Sequence, residues 1–304
     1  MLNQRGTVFP LPYTEMSSSV IAPMILLAES GASKTEWRAL RRGQLLLQRR
    51  GEGLNPNTLS PEALQQRLRQ QLSEFPVAEV AQLWFWGAGL GQAVRRAEMR
   101  SHLKALLPQA EIHLGDDLEA AVQAHALDAG IALLLGTGSN AGRFAQGRVQ
   151  ARAGGLGYLL GDEGGGADLG RALLRGILMP GWRTELQQQL LQELQQDRAG
   201  LIAWLYGAPR PAQQLASLTH LITRHATQPE VDALLQARFG ALLDQTVRPL
   251  MPPLALPLTA TGSIAFHFQA QLERAVEARG WRLVSVEKAP IEALTRRFLA
   301  GKRP

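Results

Sequence analysis

Two adjacent carboxylates, Asp116 and Asp117, stand where an apolar run gives way to a helical pattern in "AEIHLGDDLEAAVQAHAL". A carboxylate at such a junction has two uses. It caps the first turn of the helix, which Asp does well, or it takes the proton of a hydroxyl that attacks a phosphoryl group. Further chemistry is spread over glycine-rich turns: "ESGASKT" (29–35), "GTGSN" (136–140) and "TGSIAF" (261–266). Each follows an apolar run and carries Ser or Thr hydroxyls beside its glycines. Turns of this kind aim backbone N–H groups at an anion with no side chain in the way. Three of them, one in the first half and two in the second, predict a nucleotide triphosphate held between two halves. None has the glycine frame of a P-loop, although Lys34 does precede Thr35. A fourth segment, "GGLGYLLGDEGGG", wraps glycines around Asp162 and Glu163.

The elements that must position these residues are read from hydrophobic pattern and turn chemistry. "MILLAES" (24–30) and "AQLWFWGAG" predict buried strands that end in turns. "KTEWRALRRGQLLLQRRGEG" predicts a hairpin turning at Arg42-Gly43, with its second arm leaving into the loop 51–57. Ser60 and Pro61 open a helix as N-cap and first helical residue, and "AVRRAEMRSHLKALL" predicts another. "IALLLG" is a strand into the GTGSN turn. A mostly helical region spans about 169–250. "LPLTATGSIAFHF" reads as strand, turn and helix, "WRLVSVEKAP" as a strand and "IEALTRRFLA" as a final helix. No tandem repeat appears, but each half uses the same device of strand, glycine turn and further element.

The 304 residues suit two domains of about 150 residues each. The absence of cysteine excludes disulfides, thiolate zinc sites, a cysteine nucleophile and an iron–sulfur cluster held by this chain. The six histidines show no ligand spacing. The net charge of +6 is spread over scattered arginines, with no basic tract interleaved with aromatics, so no nucleic-acid partner is expected. No run approaches about 20 apolar residues, so no membrane span is expected. Residues 1–23 lack the apolar core of a signal peptide and read as a flexible tail, which predicts a cytoplasmic protein.

The order of these motifs resembles the BadF/BadG/BcrA/BcrD-type ATPase family of the acetate- and sugar-kinase/actin superfamily, on its N-acetylglucosamine kinase branch. The motifs that carry the likeness are the acidic Gly/Ser/Thr hairpin turn, Asp116 followed by Ala120-Ala121, "LGTGSN", "GGLGYLLGDEGGG" and "TGSIAF". The resemblance covers residues 24 to 304. It implies an α/β protein of two RNase H-like, actin-like ATPase domains, 24–122 and 123–304, with an interdomain cleft. The second would carry a helical insertion, and the last helix would pack back on the first. ATP would lie in the cleft and the sugar deeper.

By the resemblance, Ser33, Lys34 and Thr35 face the β- and γ-phosphates, and Glu29 helps to hold magnesium through water. Gly136, Thr137, Gly138 and Ser139 form the second phosphate turn, and Gly262 and Ser263 pack on the nucleoside. Asn55, Gly155, Gly157 and Asp162 meet the sugar, and Asp116 is the catalytic base. Glu163 is either a further ligand or a structural acceptor. Ala32 replaces a usual Gly or Ser, and Gly165 replaces a serine found in many relatives, which predicts one missing hydroxyl contact. The implied activity is ATP-dependent phosphorylation of an amino sugar, foremost N-acetylglucosamine at its 6-hydroxyl. Glucosamine, N-acetylmuramic acid or an anhydro-sugar are the alternatives. A BadF-type ATPase without kinase activity is a weaker one, because those relatives hold an iron–sulfur cluster through cysteine. A homodimer is implied by the resemblance alone.

Overall fold

A computed structural model describes residues 22–31 and 34–303. Most of the expected tail (residues 1–21), and with it Ala32 and Ser33, lies outside the described residues. The chain builds two five-stranded sheets of the same topology. The first contains β1 (Met24–Ser30), β2 (Lys34–Arg41), β3 (Gln44–Glu52), β4 (Val80–Gly87) and β5 (Glu111–Asp116) in the order β3-β2-β1-β4-β5. The second contains β6 (Ala129–Leu135), β7 (Ser139–Ala145), β8 (Arg148–Gly154), β9 (Leu258–Thr261) and β10 (Leu283–Glu287) in the order β10-β9-β6-β7-β8. Read from the hairpin edge, both orders are 3-2-1-4-5. In each sheet the first three strands are antiparallel, and the first, fourth and fifth are parallel.

The strand positions follow from burial. Parallel strands covered on both faces read as continuous apolar runs, and Leu26, Leu27 and Ala28 of β1 are all fully buried. The edge strand β3 is mostly exposed and carries Arg49 and Arg50, charges that discourage edge-to-edge pairing. The two edge hairpins, β2–β3 and β7–β8, each close through a two-residue turn in the left-handed region, Arg42-Gly43 (φ 51° and 69°) and Gln146-Gly147 (φ 50° and 70°). Such turns match the twist of the flanking strands. The second hairpin, β7–β8, is not foreseen from the sequence.

Helices α1 (Pro61–Leu72) and α2 (Ala93–Leu106) cover the outer face of the first sheet. Ser60 caps α1 by accepting from the Ala63 amide, with Pro61 at the first turn. Helix α3 (Asp117–Ala124) lies between the sheets. Its Ala120 packs with Leu27 and Trp86 of the first sheet, and its Leu118 and Val122 with Ala132 and Phe144 of the second. The helical region begins three residues before its expected start, with α4 (Gly166–Leu178). It continues through α5 (Thr184–Leu194), α6 (Arg198–Tyr206), α7 (Pro211–Ser217), α8 (Thr219–Arg224) and α9 (Pro229–Leu242), whose apolar faces share one core with the second sheet. Helices α10 (Ser263–His267) and α11 (Gln269–Glu277) follow β9. The final helix, α12 (Pro290–Leu299), returns to the first sheet and packs Ile291, Leu294 and Phe298 against Leu27, Leu40 and Trp86. Among the described residues no helix is long and apolar enough to cross a membrane.

Candidate active site

Parallel strands deliver the motifs to two facing rows. In the first sheet Ser30 aligns with Gly87, and Gly87 with Asp116, so the carboxyl ends of β1, β4 and β5 share one edge. In the second sheet Leu134 aligns with Thr261, and Thr261 with Glu287. The crevice outside the carboxyl ends of parallel strands is where ligands bind in open α/β sheets.

Asp116 satisfies both sequence readings at once. Its Oδ1 accepts from the Glu119 amide at 2.8 Å, and the Glu119 carboxylate accepts from the Asp116 amide at 2.8 Å, which makes a reciprocal capping box for α3. Its side chain is only 2% exposed, and Oδ2 pairs with Arg152 at 2.7 Å and Arg96 at 3.4 Å. Arg96 also donates to Glu119 at 2.8 Å and to the Leu90 carbonyl at 2.6 Å, tying the loop 87–91 to the Asp116 junction. Asn55 reaches the same loop, its amide group filling the space where Gly89 lacks a side chain. The Asn55 loop is itself held by Ser30, whose Oγ accepts from the Leu54 amide at 2.9 Å.

Asp117 is not the N-cap, but its Oδ1 accepts from the Leu118 amide in the first turn of α3 at 2.9 Å, and the residue is half-buried. Burial raises its pKa, and the charge of Asp116 adds to the effect. Its charge also acts on Glu29, whose pKa burial pushes to about 7 against the attraction of Lys34, with Glu36 and Asp117 pushing the same way as burial. Lys34 is half exposed and pairs with Glu36 at 3.0 Å. Thr35 is fully buried, and its hydroxyl is engaged by the Glu52 carbonyl and by Ser30 Oγ, both at 2.8 Å. It therefore braces the turn from behind, where the resemblance had it facing phosphate. Ser33 lies outside the described residues.

The GTGSN turn is stitched to the start of α4: the Gly166 amide donates to the Gly136 carbonyl and the Ala167 amide to the Thr137 carbonyl, both at 2.8 Å. Thr137 is exposed, whereas the Ser139 hydroxyl is buried with no hydrogen-bond partner among the described residues. The glycines divide into two groups. A Cβ at Gly136 or Gly157 would have nothing within 4 Å, so these two face open space. The space at Gly138 is filled by the Asp162 carboxylate and that at Gly262 by the Leu135 backbone, while Gly155, at φ 68°, is closely approached by the Asn140 amide group. A Cβ on Gly165 would stand 2.6 Å from the Gly138 carbonyl carbon, so the serine of other relatives has no room in this turn.

Asp162 adopts φ 63° and lies between the phosphate turn and the Gly157 turn. Burial raises its pKa, while the Ser139 and Gly157 amides beside it pull the other way. Glu163 is partly exposed next to Gly161. Ser263 is exposed at the start of α10.

No family model matches the chain. The solved structure of a candidate N-acetylglucosamine kinase from Porphyromonas gingivalis covers 91% of this chain and 99% of its own, at 32% identity and a TM-score of 0.84. The chain belongs to the N-acetylglucosamine kinase family of actin-like sugar kinases. It is 36% identical over 99 residues to the N-acetylmuramic acid/N-acetylglucosamine kinase of Clostridium acetobutylicum. It is 36% identical over 103 residues to the N-acetyl-D-glucosamine kinase of Dictyostelium discoideum. Each of these two matches spans 32% of the relative's length.

Within this kinase-family frame, several residues not foreseen from the sequence hold the site. Asp168 accepts from the Gly164 amide at 2.9 Å and pairs with Arg171 at 2.8 Å and Arg238 at 2.7 Å. Arg171 in turn donates to the Tyr158 carbonyl at 2.9 Å, which anchors the turn that carries Gly157. Ser30, Arg96 and Arg152 complete the set. Only Ser30 had a signal in the sequence, as the hydroxyl that ends β1.

Proposed function

We propose that this member of the family transfers the γ-phosphoryl group of ATP to the 6-hydroxyl of N-acetylglucosamine. The observation that carries the reading is Asp116: a buried carboxylate in the strand-end row of the first sheet, beside the glycine loop that Asn55 also reaches. The hydroxyl oxygen bonds to the γ-phosphorus as the bond to the β–γ bridging oxygen breaks. Asp116 takes the hydroxyl proton, and ADP leaves. Such a transfer needs alignment and charge stabilisation more than covalent help. Asn55 and Asp116 orient the sugar from the first sheet, while Asp162 stiffens the phosphate turn from beneath and faces the sugar with the Gly157 turn. Gly136, Gly138, Thr137, Ser139 and Lys34 meet the phosphates, with Thr35 behind them, and Ser33 keeps the phosphate role that the resemblance gives it. Gly262 and Ser263 border the nucleoside.

The residues fit a magnesium nucleotide. Glu29 is a carboxylate whose charge the surrounding protein leaves under-compensated, and Ser139 is a hydroxyl in want of an acceptor. Magnesium usually keeps several waters and takes one or two carboxylates beside substrate phosphates. Glu29 would hold it through water, and the ion would neutralise phosphate charge.

A coupled assay over a panel of amino sugars tests the reading. N-acetylglucosamine should be turned over best. N-acetylmuramic acid, which the name of the Clostridium acetobutylicum relative includes, is the competing acceptor. Asp116→Asn should lower turnover by ~100-fold or more. The helix cap should survive, because Asn is itself a good cap, and any fall in melting temperature should reflect only the ion pairs lost to Arg152 and Arg96. Near-normal turnover in Asp116→Asn would remove the base assignment.

A further inference from the structure

Asp116 is gripped from two directions. From its own side of the cleft come the Glu119 amide on Oδ1 and Arg96, which is bound as well to Leu90 and Glu119. From the other side comes Arg152, whose Nη2 lies 2.7 Å from Oδ2 and forms an ion pair between the two sheets. Arg152 belongs to β8, the second arm of a hairpin whose first arm starts at Ser139 in the phosphate turn. The Gly155 amide, three residues past Arg152, donates back to the Ser139 carbonyl at 3.1 Å. The hairpin therefore runs out from the phosphate turn, places a guanidinium on the Asp116 carboxylate, and returns to the same turn.

The contact is not needed for packing. The Arg152 side chain is 41% exposed and its strand lies at the edge of its sheet, so removing it opens no core cavity. What it supplies is direction. Without it Oδ2 keeps only the long 3.4 Å contact from Arg96, which leaves the carboxylate freer about its last torsion, and the 2.7 Å charged hydrogen bond from Arg152 fixes it. A misplacement of about 1 Å in a reacting group can cost ~100-fold in rate.

We propose that Arg152 is a positioning residue for phosphoryl transfer: it ties Asp116 to the phosphate turn across the cleft, so that the proton acceptor and the phosphate site keep register. The proposal rests on Asp116 being the base, and the test separates the two. Arg152→Gln, Arg152→Lys, Asp116→Asn and the double variant Asp116→Asn/Arg152→Gln are compared with the parent, with N-acetylglucosamine and ATP as substrates.

Arg152→Gln should lower kcat by about 10-fold to 100-fold. KM for ATP should stay within about twofold and the melting temperature should not change. Arg152→Lys keeps a cation without the planar fork and should recover part of the loss. In the Asp116→Asn background, Arg152→Gln should add no further loss, because the group it orients is already gone. Near-normal or raised kcat in Arg152→Gln would overturn the proposal. So would a loss that multiplies with that of Asp116→Asn, or one matched by a drop in melting temperature. An unimpaired Asp116→Asn would overturn the base assignment and the proposal with it, whereas an impaired Asp116→Asn beside a normal Arg152→Gln would overturn the positioning role alone.

Discussion

Glu29 and His125 set opposing dependences of stability on pH. Burial raises the Glu29 pKa from an ordinary 4.5 to about 7. Between those values the unfolded chain has released this proton and the folded chain has not, so this residue makes stability fall as pH rises from 4.5 to 7 and level off above. His125 is buried, with one ring nitrogen 2.8 Å from Thr261 Oγ1 and the other 2.9 Å from Ser285 Oγ. Burial lowers its pKa from 6.5 to about 4, so its contribution is complete above 6.5 and is lost as pH falls toward 4. In the parent protein the two slopes offset each other between 4.5 and 6.5. Glu29→Gln should expose the rising His125 slope there and should melt higher than the parent at pH 8, where Glu29 carries an under-compensated charge. Calorimetric scans from pH 4.5 to 8 check this, and parallel curves for the two proteins would contradict it. The same variant should lose turnover, because the carboxylate assigned to magnesium is gone.

At the scale of elements, the phosphate turn is shaped by backbone contact with α4, and Gly165 is where the two come closest. Gly165→Ser places a Cβ against the Gly138 carbonyl carbon, so it should raise KM for ATP by ~10-fold, with no added phosphate contact. Steady-state kinetics at saturating sugar decide it, and an unchanged or lowered KM would show that the turn yields. This point was not legible in the sequence, where Gly165 reads as a missing hydroxyl. A missing Cβ looks the same in a sequence whether a ligand or the protein fills the space. Gly136 and Gly157 leave it open, while Gly138 and Gly262 give it to Asp162 and Leu135, partners set by tertiary packing. The buried parallel strands were legible because continuous apolar runs have no other use in a chain of this composition. The hairpin β7–β8 was not, since its small and charged residues mask the alternation, and only Gln146-Gly147 marks its turn. The capping role of Asp116 was legible from its place at the junction of strand and helix. Its arginines were not, because they come from elements on either side of it in the chain and carry no motif of their own.

For the molecule as a whole, two sheets of one topology hold α3 between them, α12 packs on the first sheet beside α3, and the site residues sit at the edges that face each other. Leu156, Leu159 and Leu160 are 65%, 76% and 80% exposed on the turn beside the cleft. Closure around sugar and nucleotide would exclude water from the phosphoryl transfer and cover part of this apolar turn. Small-angle scattering should show a smaller radius of gyration with N-acetylglucosamine and a non-hydrolysable ATP analogue than without. An unchanged radius at saturation would count against a mobile cleft. The return of α12 to the first sheet also has a bearing on synthesis. Leu27, Leu40 and Trp86 receive part of their cover from Ala120 and the rest from Ile291, Leu294 and Phe298, which lie far beyond the end of β5 at Asp116. On a ribosome adding about 5–20 residues per second, that apolar face waits roughly 10–40 s after β5 has emerged before its partner exists. The half of the protein made first is thus the half completed last, and during translation its uncovered face is the surface a chaperone would meet.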